Sequence, residues 1–159
     1  MKYNEETMKS HAIYYERAKD RLDEISQYDI DLLIKENRKV YREISSVLKI
    51  NYVNGQPYET AEEMTKSVNE TGIMSISLDH NNSLLFPDID NLKFRAVHDF
   101  FHIITGQPFG YVGEALTYES QKMKYSKHLH PILFSEIVLQ AAYCDYFGSF
   151  PEKQKIVLL

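Results

Sequence analysis

The 159-residue chain contains no tryptophan and a single cysteine. One cysteine excludes an intramolecular disulfide framework and any cysteine-based zinc knuckle. An excess of positive charge is also lacking, since 18 Lys and Arg stand against 23 Asp and Glu for a net charge of -5. That balance argues against nucleic-acid binding through bulk charge. No apolar run approaches the roughly 20 residues that a membrane helix needs. The opening MKYNEETMKS is polar and mixed in charge, unlike a signal or transit peptide. Internal repeats, low-complexity segments and linkers are absent too. These absences lead to the expectation of a soluble, cytoplasmic chain, with residues 1–159 forming one domain and neither a membrane nor a nucleic acid as partner.

What is present suits a packed core: 43% apolar and 26% charged residues, with 12 Tyr and 8 Phe. Met8, Ala12, Tyr15, Leu22 and Ile25 recur at helical spacing, as do Ile30, Leu33, Val40, Ile44 and Val47. Residues 1–50 therefore read as an N-terminal helical hairpin. Asn37 interrupts the second stripe and reads as a partly exposed neighbour rather than a register-fixing contact. Asn54-Gly55-Gln56-Pro57 is a turn, and Thr60-Ala61-Glu62-Glu63 has the form of a capping box. Residues 73–78 alternate apolar and polar, the one strand candidate. Residues 79–90 lack the glycine and terminal acid of a calcium loop and read as a loop tucking in Leu84, Leu85 and Phe86. Further helices are expected over 92–104, 114–127 and 132–147, with a last short one from Pro151. The expected fold class is mainly α: a single-domain helical bundle with at most a small β element near 73–78.

The chemistry concentrates in Arg95-Ala96-Val97-His98-Asp99-Phe100-Phe101-His102, with Glu114 beyond a Gly- and Pro-bounded turn. His98 and His102 stand four residues apart, so on a helix they share one face and can bind one ion. Asp99 occupies the acid position of the HExxH pattern, and a returning helix brings Glu114 back as an oxygen ligand. Two histidines and a carboxylate suit zinc, with iron or manganese as alternatives. Glu136 and Gln140 are one turn apart on a helix rich in Ile, Leu and Val. A carboxylate buried there is costly unless it is paired or bound to metal, which makes Glu136 a candidate ligand, base or acceptor for a ligand histidine; a solvent-facing position is the bland alternative. Arg95 is placed to orient Asp99 or to hold an anionic group, and equally to make a plain ion pair.

The run His-Asp-two residues-His, eleven residues and Glu at His98, Asp99, His102 and Glu114 resembles the metal-binding signature of a ubiquinone-biosynthesis protein family. That resemblance spans about 17 residues and implies a zinc-type site in an all-helical protein. Residues 56–159 also resemble uncharacterised bacteriophage proteins. The shared pattern is Pro57-Tyr58, Met64, residues 94–99, His102, Gly113-Glu114, Glu136, Gln140 and Gln154-Lys155, with Phe101 standing where that family carries glycine. This implies a phage origin and a host-cytoplasmic location.

Two functional expectations follow. One is a metal-dependent enzyme, hydrolytic first of all, acting on a small molecule. His98, His102, Glu114 and Asp99 would hold the metal, Asp99 and Glu136 would serve catalysis, and Arg95 and Gln140 would support them. Phosphohydrolase chemistry of the HD type is a weaker variant that would add His80 and Asp145, and an oxygen-using iron site is another. The alternative is a non-enzymatic phage protein that binds or inhibits a host factor, its histidine cluster structural.

Overall fold

The computed structural model describes residues 2–159. Helix α1 (Glu5–Arg17) starts at a capping box in which the Asn4 side chain accepts from the Thr7 amide and Thr7 Oγ1 accepts from the Asn4 amide. Leu22 and Ile25, expected on its stripe, lie beyond its end, in and after a 3-10 turn at Leu22–Glu24. Asp20 Oδ1 accepts from the amides of Leu22 and Ile156, and such side-chain-to-backbone bonding competes with helix continuation. Helix α2 (Gln27–Ser45) is capped by Ser26 and stops short of Val47, which is 72% exposed. Both helices form, yet their main packing partners lie elsewhere. Helix α1 runs along α7 (Gln140–Phe147), and α2 along α4 (Asp88–Thr105).

A second strand joins the expected one. Strand β1 (Lys49–Val53) pairs in parallel with β2 (Ile73–Ser77), in register Lys49 to Ile73 and Val53 to Ser77. Parallel neighbours need a crossover, which α3 (Ala61–Thr71) supplies between its Thr60 cap and Gly72 at φ 71°. Met74 and Ile76 of β2 are buried with Met64, Val68 and Ala96. The fold is mainly α with this small parallel pair.

Helix α4 begins at Asp88, directly after Pro87, rather than at residue 92. Asp90 is buried, and both its oxygens accept from Arg38 of α2, at 2.8 and 2.9 Å. In the loop before it Leu85 and Phe86 are buried, whereas Leu84 is exposed. Helix α5 (Tyr111–Gln121) gives way to 3-10 turns at Lys122–Lys124 and Lys127–Leu129. Helix α6 (His130–Phe134) then continues through a π-helical segment, Ser135–Leu139, into α7. No helix forms after Gly148. There Ser135 Oγ accepts from the Val157 amide, and the Ile156 carbonyl accepts from the Arg21 amide. Backbone groups so occupied are unavailable for a helical turn, and Ile156 and Val157 are buried in the core. No helix among the described residues is long and apolar enough to cross a membrane.

Candidate metal centre

Helix α4 carries His98 and His102 on one face, and α5 returns against it from a sharp connection. The return depends on Gly113, where an added Cβ would lie 1.8 Å from the Pro108 carbonyl oxygen. Only a residue without a side chain permits that approach. It sets Glu114, in the first turn of α5, against the two imidazoles. Asp145, a residue considered for HD-type chemistry, instead accepts from the Tyr111 amide at 2.7 Å and so caps α5.

Three donor atoms converge, one each from His98, His102 and Glu114, all within 4.8 Å of one another. His102 Nε2 is 3.1 Å from His98 Nε2 and 3.0 Å from Glu114 Oε2, and His98 Nε2 is hydrogen-bonded to the same oxygen. Ligands at about 2.0–2.1 Å from a tetrahedral zinc ion lie roughly 3.3 Å apart, so the two separations from His102 are near those of a shared ion, and His98 and Glu114, drawn together by their hydrogen bond, would part to admit it.

The outer bonds decide which ring nitrogens are free. His102 Nδ1–H donates to the Gln107 carbonyl at 2.9 Å, and His98 Nδ1–H to Gln121 Oε1 at 2.8 Å. Gln121 Nε2 in turn donates to the Tyr125 hydroxyl, which donates to Asn37 Oδ1 at 2.7 Å. A proton on each Nδ1 leaves each Nε2 lone pair facing the carboxylate. Three electron-rich atoms at that spacing require a cation or a proton between them. Second partners of this kind orient ligand histidines and raise their basicity.

Asn37 is fully buried, correcting the expected partial exposure. It fixes α2 to Tyr125, the residue that follows the 3-10 turn at Lys122–Lys124, and so anchors the relay that ends on His98. Gln121→Leu should therefore weaken divalent-metal binding by about 10–100-fold, measured by competition with a chelator. Retained affinity would show that His98 needs no such support.

Charge follows the same geometry. Burial by itself would lower the His98 pKa, but the Glu114 charge and the bonds to Glu114 and Gln121 outweigh it and push it up to about 9. Burial would raise Glu114, and the opposing His98 charge and the two histidine contacts bring it down to about 2. Asp99 is not among the three converging groups. It lines the adjoining cavity, where burial lifts its carboxyl to about 6 against the pull of His98 and His102. Arg95 makes no hydrogen bond to Asp99. It donates to the carbonyls of Ser77, Asp79 and His80 at 2.7–2.9 Å and so clamps the turn after β2 onto α4.

Comparison with protein-family models, curated proteins and solved structures finds no match for this chain.

His98 and Glu114 open onto a cavity of about 760 Å³ that Arg95, Asp99, Glu136 and Gln140 also line. Glu136 stands apart from the three donors, on the π-helical segment. Such segments insert an extra residue into a helical turn and are frequent at functional sites. Burial raises its carboxyl to about 7. Among the described residues its Oε1 and the Nε2 of Gln140 are enclosed without a hydrogen-bond partner, a cost of about 1–3 kcal/mol for each such group. The supporting residues Gln121, Tyr125 and Thr117, whose Oγ1 lies 3.3 Å from His102 Nδ1, belong to no motif that the sequence makes visible. Glu114, Thr117 and Gln121 do form an i, i+3, i+7 polar stripe, the periodic signal that marks one helix face.

Proposed function

We propose that this chain is a divalent-metal-dependent hydrolase, with zinc the favoured ion, iron or manganese the alternatives, and a small molecule as substrate. The observation that carries the reading is the convergence of three donors whose histidine Nδ1 atoms are already committed to acceptors. A bound divalent ion supplies Lewis acidity and lowers the pKa of water. The chain's own residues do the rest. His98, His102 and Glu114 hold the ion, with Gln121 and the Gln107 carbonyl setting ring orientation. Asp99, next in sequence to a ligand and lining the same cavity, is the group we assign to accept a proton from a water molecule there. Three protein ligands rather than four, beside a cavity, favour catalysis over a closed structural site. A phage protein acting in the host cytoplasm is part of this reading, supported by the pattern across residues 56–159.

The test is elemental analysis of protein purified without a metal-affinity tag, beside His102→Ala. The expected result is about one equivalent of divalent metal in the wild type and none in the variant. Colour and oxygen-dependent turnover would mark iron chemistry instead of hydrolysis. No metal in either protein after reconstitution would sink the reading and favour a host-factor-binding protein with a structural histidine cluster.

A further inference from the structure

We infer that the cavity wall built by the π-helical segment binds a neutral, amide-like end group of the substrate, one that carries an N–H donor beside a C=O acceptor. A carboxamide and the edge of a nucleobase share this chemistry. The inference rests on the proposed metal site only in that both face one cavity.

Glu136 and Gln140 offer an acceptor and a donor one helical turn apart, and both line that cavity. Neither Glu136 Oε1 nor Gln140 Nε2 has a partner among the described residues. Their neighbours Ile137 and Ala141 line the cavity as well, so apolar side chains would suit the wall if packing were its only task. Buried polar groups of native proteins are normally paired. Both atoms are enclosed just behind the cavity surface, and a ligand that supplies both partners would draw the two side chains round to meet it.

Charge argues against an anionic end group. Arg95 is the sole Lys or Arg among the described residues lining the cavity, and both its terminal nitrogens donate to backbone carbonyls. Asp79, Asp99, Glu114 and Glu136 line it too. At this wall, away from the metal, a phosphate or carboxylate end group would meet carboxyls and find no free guanidinium or ammonium, the usual partners of such anions. Size and surface agree. A volume near 760 Å³ suits a drug-sized molecule. Tyr58, Phe109 and Phe150 are among the aromatic side chains that line the cavity.

The experiment titrates the metal-reconstituted full chain with benzamide, uridine and benzoate, and measures metal content on the same samples. Benzoate matches benzamide in shape and differs in charge. Benzamide or uridine should bind, and Gln140→Met and Glu136→Met should each weaken that binding by roughly tenfold while leaving unchanged any benzoate held by the metal. Metal content should not change in either variant, and both should melt no lower than wild type because each loses an enclosed, unpaired polar group. Whichever amide-bearing probe binds more tightly identifies the source, carboxamide or nucleobase. Failure of both probes on metal-loaded protein, benzoate binding that weakens as much as amide binding in the variants, or unchanged amide binding in both variants would overturn the inference. Amide binding by protein that takes up no metal on reconstitution would instead sink the metalloenzyme reading and leave this pocket standing.

Discussion

Gly113→Ala should abolish metal binding and destabilise the chain by about 3 kcal/mol or somewhat more, at or above the upper end of what overpacking costs. The added methyl would sit 1.8 Å from the Pro108 carbonyl oxygen and 2.7 Å from its carbon. Those are backbone atoms, so no flexible side chain can swing aside to make room. Relief requires α5 to move away from the connection at 106–110, and Glu114 is the next residue on that helix. The Gly113 carbonyl also accepts from Thr117 Oγ1 at 2.7 Å, and Thr117 lies 3.3 Å from His102 Nδ1. Displacement there disturbs a ligand and its support together. Thermal melting and elemental analysis of the variant would read both effects. A variant that melted like wild type and kept its metal would show that α5 need not approach so closely.

Acidity should drive the metal-free and metal-loaded proteins in opposite directions. In the metal-free chain the proton on His98 takes the place of the ion beside Glu114. The folded pKa of His98 is raised from 6.5 to about 9, so its contribution to stability is fully present below pH 6.5 and is lost as pH rises through 9. The folded pKa of Glu114 is depressed from 4.5 to about 2, so its contribution is present above pH 4.5 and is lost as pH falls through 2. Both shifts describe one pair interaction and are not additive. Metal-free protein should therefore melt highest between about pH 4.5 and 6.5 and progressively lower from 6.5 to 9. Metal needs the His98 lone pair, so its affinity should climb about tenfold per pH unit over that same interval. Melting curves and chelator competition from pH 6 to 9 would show the divergence. A metal-free melting temperature that stayed flat from 6.5 to 9 would mean that the His98–Glu114 pair does not form.

The four-residue spacing of His98 and His102 was legible because helical periodicity is a local property, set by one turn of backbone. The return of Glu114 followed from a Gly- and Pro-bounded turn and a second helix. Other features could not be read that way. Lys49–Val53 is a strand only because Ile73–Ser77 lies beside it, and a parallel pair is joined by a crossover that no short window contains. Val47 and Leu22 kept the right spacing but fell outside their helices. The Leu22 case turns on Asp20, whose side chain ends one turn and also holds Ile156 from the far end of the chain.

Local pattern alone determined the mainly helical class, the caps at Thr60 and Gly72, and the shared face of the two histidines, because each depends on residues a few positions apart. Tertiary structure decided which nitrogen of each imidazole is free, since the acceptors are Gln107, brought round by a turn, and Gln121 on another helix. It also placed Asp99 on the cavity wall rather than among the donors and left Glu136 and Gln140 without partners. It turned Asn37 from an odd polar residue into the anchor of a buried relay that ends on His98, two helices further along the chain. Hydrogen bonds between distant segments carry no periodicity, so only the folded chain reveals them.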